Sequence, residues 1–139
     1  MNNLLGMRLH LLTAACLFAL SSCGSAAPPP PERPALAAIL KETKFTAHGD
    51  YTGADTPEDR QPLQDAVDAA IKDIRTLPEP LDKDAVRSRL SALINQTDLY
   101  ATEDRDEVGR YAVRIWRAAG FHEDSGLFPV GDERALARR

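Results

Sequence analysis

From Leu36 onward the apolar residues recur at steps of three and four, and nowhere do they alternate over a run long enough for a strand. That spacing places one stripe of each segment on one face of a helix. Leu36, Ile39 and Leu40 mark a short first helix within Ala35 to Lys44. Leu63, Val67, Ala70, Ile71, Ile74 and Leu77 mark a second, and Val86, Leu90, Leu93 and Ile94 a third. In the last long segment Val108, Tyr111, Ala112, Ile115 and Ala119 carry the stripe, and Val113 and Trp116 widen it. A stripe that broad predicts a helix packed against more than one neighbour. The expected fold is all-α, a compact bundle of three to four helices over residues 35–139.

The ends of these segments are written in their capping chemistry. Thr56-Pro57-Glu58-Asp59 starts a helix: Thr56 caps free amides, Pro57 suits the first turn, and the acids face the positive end of the dipole. Pro78 and Pro80 stop it. Asp82 is the next cap, and that helix ends near Asn95-Gln96-Thr97. Thr102 opens the last long helix, with Glu103 and Asp104 in its first turn, and Gly120 suits its left-handed stop. Phe45 to Asp55 is loop, with Gly49 and Gly53 bracketing Asp50-Tyr51-Thr52. Phe121 to Val130 reads as an irregular segment packed back, and Ala135 to Arg139 as a frayed end.

The N-terminal part has a different composition. Leu11 to Leu20 is an apolar core behind Arg8, about half the ~20 residues a spanning helix needs. It leads into Leu20-Ser21-Ser22-Cys23, which resembles the lipobox of bacterial lipoproteins. The resemblance implies a signal peptide over residues 1–22, cleavage before Cys23 and acylation of its thiol. It also implies a bacterial cell-envelope protein held by lipid chains, and Gly24 after the cysteine implies the outer membrane, facing the periplasm. Met7-Arg8 is as good a start as Met1. Residues 23–34 then form a tether, whose Pro28 to Pro31 favours polyproline II and a reach of about 30 Å. Cys16 and Cys23 are the two cysteines, so residues 24–139 hold no thiol for a disulfide, a metal or a nucleophile. The formal charge is −4, and it becomes −5 once Arg8 is removed with the signal. A chain with that balance lacks the basic footprint of a nucleic-acid binder.

A second resemblance runs through the domain. Lys44-Phe45-Thr46-Ala47, Tyr51-x-Gly53, Thr102-Glu103-Asp104-Arg105 and Ser125-Gly126-Leu127 together resemble an uncharacterised bacterial family, domain of unknown function 4844. The resemblance covers most of Ile39 to Phe128 and implies a small, mainly helical domain. It brings no activity. Members of the family often carry a cysteine near the position held here by Gly109, so a thiol role would be absent from this chain.

The candidate chemistry is sparse. Glu103, Asp104, Asp106 and Glu107 form the densest acidic run, read as dipole complement with Asp106 pairing to Arg110 at i, i+4. His48 and His122 lie in loops without a second His or Cys at ligand spacing. No phosphate loop, Gly-x-Ser-x-Gly elbow or His-Glu-x-x-His helix occurs, so no catalytic residue, metal or cofactor is assigned. Tyr111 and Trp116, beside Arg110, Arg114 and Arg117, are the candidate interface, since aromatic and Arg side chains dominate interface energetics. The expected partners are the membrane, through lipidated Cys23, and an unidentified protein. The reading is a non-catalytic interaction domain, with an immunity or inhibitor protein as its sharper form. The alternative is a ligand-binding or enzymatic domain using Glu103, Glu107 or His122 around a cleft.

Overall fold

The computed structural model describes residues 32–129 and 131–138. The expected signal peptide, the expected lipidation site Cys23 and the expected tether up to Pro31 lie outside the described residues. Five helices follow in order: α1 (Pro34–Leu40), α2 (Pro57–Arg75), α3 (Lys83–Gln96), α4 (Thr102–Ala118) and α5 (Asp132–Arg138). No strand forms among the described residues, so the fold is all-α as the periodicity predicts. No helix among them is long and apolar enough to cross a membrane.

The long helices begin where the caps predict. Thr56 Oγ1 accepts from the Asp59 amide at 3.1 Å, and Asp82 Oδ1 accepts from the Ala85 amide at 2.6 Å. Each thereby satisfies an amide that has no partner inside its helix. α4 starts without a side-chain cap, its Ncap being Ala101, and leans on Glu103 and Asp104 in the first turn instead. Pro62 lies within α2, where it removes one ladder bond on the exposed side.

α2, α3 and α4 pack against one another, α1 fills the angle between α2 and α4, and α5 packs on α4. Leu63, Val67, Ile71, Ile74, Val86, Leu90, Ile115 and Trp116 are completely buried between them. Together with Leu36 from α1 they make one continuous core, as the four stripes predict.

Two segments differ from the sequence expectation. The C-terminal residues read as frayed form α5, because Glu133 is buried and its carboxylate accepts from Ser125 N (2.8 Å) and Ser125 Oγ (2.9 Å). Arg33, assigned to the tether, is buried in the domain. Its guanidinium donates to the carbonyls of Ile74 (3.0 Å), Arg75 (2.8 Å) and Leu77 (2.8 Å) and pairs with Glu79. A cation there satisfies the free carbonyls at the C-terminal end of α2 and faces the negative end of its dipole.

The loop before α2 is fixed by glycine and by burial. His48 and Tyr51 exchange both backbone hydrogen bonds at 2.9 Å around Gly49. Gly53 has φ +87, and a Cβ there would lie 2.9 Å from the Ala47 amide nitrogen, so the turn admits no side chain. Phe45 adopts φ +57, rare for a bulky residue, and is held there by burial of its ring 5.5 Å from that of Tyr111.

Candidate functional site

Polar side chains converge where the 45–53 loop meets the first half of α4. Glu107 is only 4% exposed, yet it carries a carboxylate. Its Oε1 lies 2.9 Å from His48 Nε2, and its Oε2 accepts from Arg110 Nε at 2.5 Å. A buried carboxylate is tolerated only with such partners. The contact identifies Nε2 as the nitrogen of His48 turned toward Glu107, which leaves Nδ1 free of it. One turn earlier, Tyr51 OH donates to Asp104 Oδ1 at 2.5 Å, and the Arg110 guanidinium lies 6.0 Å from the Tyr51 ring centre. Burial, then the bond to Asp104, pushes the Tyr51 phenol above its ordinary range, so it stays a neutral donor.

These groups border an open depression of about 300 Å³, lined by His48, Gly49, Asp50, Tyr51, Glu103, Asp106 and Arg110. Asp50, Glu103 and Asp106 have no ion-pair partner among the described residues, so its rim is net negative. A second depression, about 560 Å³, shares His48 and Arg110 and continues along α4 to Tyr111, Arg114 and Glu42. The two adjoin at His48 and Arg110, and together they are the groove on the face of α4. No group of three or more His, Cys, Asp or Glu among the described residues is placed to hold a metal ion.

The sequence brought forward some of these residues and mispaired others. Arg110 pairs with Glu107 at i, i+3, not with Asp106, because Glu107 is buried and its charge must be met. Arg114 bonds Glu42 at 2.7 Å, which raises its own pKa, and lies 5.1 Å from the Tyr111 ring centre. Arg117 bonds the Phe121 carbonyl and approaches Glu133 at 3.7 Å. The three arginines are thus engaged within the chain. Trp116 is fully buried in the core, and Tyr111 is buried except where it borders the second depression. Burial, then Glu107, pushes the Tyr111 phenol up to about 12. The Trp116 indole donates to the Glu123 carbonyl at 2.8 Å and lies tilted against Phe121, their ring centres 4.5 Å apart.

The alternative grouping of Glu103, Glu107 and His122 is not brought together. Glu103 and Glu107 flank the groove, whereas His122 is exposed just beyond the opposite end of α4. The residue missed in its place is His48. Its signal was indirect: Glu107 stands four positions before Tyr111, so a charged residue occupies the buried side of α4 and requires a partner from elsewhere.

An all-α domain with an internally paired His–Glu–Arg chain beside an open polar groove defines a class by form alone. The family described as Domain of unknown function (DUF4844) matches residues 27–128, and the chain belongs to it. No curated protein and no solved structure matches the chain.

Proposed function

We propose that the chain is a bacterial envelope lipoprotein whose domain binds another protein, without catalysis, through the groove on α4. The carrying observation is the arrangement of the domain's two ends. Arg33 is clamped at the C-terminal end of α2, so a tether preceding it would enter there, and a surface at that point is shared by Pro34, Ala118 and Ala119 at the C-terminal end of α4. The groove lies at the N-terminal end of α4, beside Glu103 and Asp106. At roughly 1.5 Å per residue the run from Glu103 to Ala118 spans about 22 Å. A domain anchored at Cys23 would therefore turn its open, net-negative groove away from the bilayer. An immunity or inhibitor protein that blocks an envelope-acting toxin or hydrolase is the sharper form of this reading, and the sequence reasons for it remain the anchor, the acidic charge and the small size.

The test is site-specific photo-crosslinking in the native envelope. A crosslinker at Asp50, on the groove rim, is expected to capture a discrete protein, and one at Ser88, on the exposed side of α3, is not. Equal, weak labelling from both positions would end the reading. Replacing Cys23 with Ser is expected to release the protein from membranes.

A second reading, a ligand-binding or enzymatic groove, is favoured by one contact. Glu107 holds His48, 47% exposed, at the wall of both depressions, the way an orienting carboxylate holds a general base. The variant His48→Gln separates the two readings. It would abolish turnover of any substrate found, whereas capture from Asp50 would persist.

A further inference from the structure

The chain enters the domain beside an apolar trough that none of the described residues fills. Arg33 is buried, and its guanidinium holds three carbonyls at the end of α2 and the Glu79 carboxylate. The backbone at Arg33 is thereby fixed, and Glu32 before it lies on the rim of this trough, which has a volume of about 420 Å³. Its floor is Pro80 and Leu81 from the α2–α3 connection, Ala118 and Ala119 from the end of α4, and Phe121 just beyond. Pro80 is exposed, and the other four are partly buried against the core. Phe121 keeps its place because its ring packs against that of Trp116, with centres 4.5 Å apart. The segment that leads into Glu32 is Pro28-Pro29-Pro30-Pro31, uncharged and without a backbone donor. The family match begins at residue 27, so it takes in this run together with the helices. A spacer foreign to the domain would leave the match to begin near Arg33.

We propose that the proline run 28–31 docks back into this trough as a polyproline II segment, and so belongs to the domain instead of spacing it. The run lies outside the described residues, and Pro31 is bonded directly to a residue of the trough's own rim. Consecutive prolines favour polyproline II before they dock, so seating them costs little entropy. With three residues per turn, Pro28 and Pro31 fall on one side and present their rings about 9 Å apart to one surface. Apolar grooves with an aromatic wall are the surfaces that take such segments, and here Phe121 is the aromatic. A run with no N–H group leaves no donor stranded on an apolar floor. Direct attachment makes the event intramolecular, at an effective concentration on the order of 1 mM. The run of a second copy, or a foreign proline-rich segment, lacks that advantage. Docking shortens the free tether from its extended limit of about 30 Å to residues 24–27, about 13 Å at full stretch. This inference stands apart from the groove on α4 and holds whether or not Cys23 is acylated.

The experiment uses the full chain in detergent micelles, read by NMR. Backbone relaxation is expected to give the Ala27 amide an order parameter near ~0.85, that of rigid backbone. Proline ring protons should show contacts to the Phe121 ring. Exchanging the four prolines for Gly and Ser should lower the Ala27 value below ~0.6 and shift the Leu81, Ala119 and Phe121 amides. The His48 and Glu103 amides, at the other end of α4, should stay where they are. Ala119→Lys fills the trough with the prolines intact. A cation at the C-terminal end of α4 suits the helix dipole, so the fold is retained and the same loss of order at Ala27 is expected. An Ala27 order parameter below ~0.6 in the unaltered chain would overturn the proposal. So would Leu81, Ala119 and Phe121 resonances that are identical with and without the prolines. Proline-to-Phe121 contacts that grow with protein concentration would assign the trough to the run of a second copy and sink the intramolecular seat.

Discussion

Lys44 is the residue where burial and charge conflict most directly. Its side chain is 0% exposed, and its ammonium lies 2.6 Å from Asp68 Oδ1 and 3.1 Å from the Glu42 carbonyl. Asp68 Oδ1 accepts no well-aligned hydrogen bond, so charge, more than geometry, holds the pair. Removing one member of a buried pair leaves the other desolvated and costs 3–5 kcal/mol in general, and with Asp68 partly solvated we expect about 3 kcal/mol for Lys44→Ala. Urea denaturation measures it. The double variant Lys44→Met with Asp68→Leu should recover most of the loss, because a packed apolar pair of similar volume needs no compensation. Recovery of less than half would mean that the pair contributes net stability. Glu123 is the opposite case, an exposed carboxylate whose pKa is lowered from 4.5 to about 2, first by its bond to Lys83 and then by backbone donors. A depressed folded pKa stabilises above the unfolded value and fades as pH falls through the folded one. Its contribution is thus present above pH 4.5 and lost toward pH 2. Carboxylate NMR should place the Glu123 midpoint near 2, and Lys83→Ala should move it back toward 4.5. Neither partnership was legible in sequence. Lys44 and Asp68, like Lys83 and Glu123, are joined by packing of elements far apart in the chain, and a charged residue does not announce its partner.

At the scale of the element, what could be read was what is local. The three long helices were visible because period, cap and stop all lie within a few residues of one another, and the structure places Thr56 and Asp82 at their caps as expected. Asp82→Ala should lower stability by about 1 kcal/mol, read as a shift in the urea midpoint with unchanged slope. Arg33→Gln should cost more, about 2 kcal/mol, since three carbonyls at the end of α2 lose a shared charged donor. The excess over Asp82→Ala is the informative quantity; an equal or smaller loss would mean that water replaces the guanidinium there. Arg33 itself was hidden by composition. It follows a proline run and looks like tether, and only the assembled α2 terminus gives it a binding place. α5 was hidden for a related reason: one buried carboxylate and one leucine make no periodic stripe. The groove was legible in half, through the acids of α4, while the loop half supplied by His48 and Tyr51 depended on how a turn around Gly49 and Gly53 folds over.

For the whole molecule, the consequence is polarity along α4. The chain enters at one end, where Arg33 is clamped, and the open groove sits at the other. If the chain is anchored as proposed, a body on a tether of about 30 Å is barred from half of space by the bilayer, so averaged over its allowed tilts its attached end lies closer to the surface than its free end. The domain's −5 charge opposes flat adsorption on anionic lipid, which would blur the difference. Residues 24–139 contain no cysteine, so single labels can be introduced cleanly. We expect a fluorophore at Ala35→Cys, on the exposed first turn of α1, to be quenched more strongly by headgroup-bound quenchers than one at Thr52→Cys beside the groove. The acylated protein on vesicles is the sample, and the gap should widen when the tether prolines are kept and narrow when they are exchanged for Gly and Ser, because a flexible chain lets the domain approach the surface in more orientations. Equal quenching at both positions with the prolines in place would show that the domain has no preferred outward end, and the groove would then have no claim to face a partner across the periplasm.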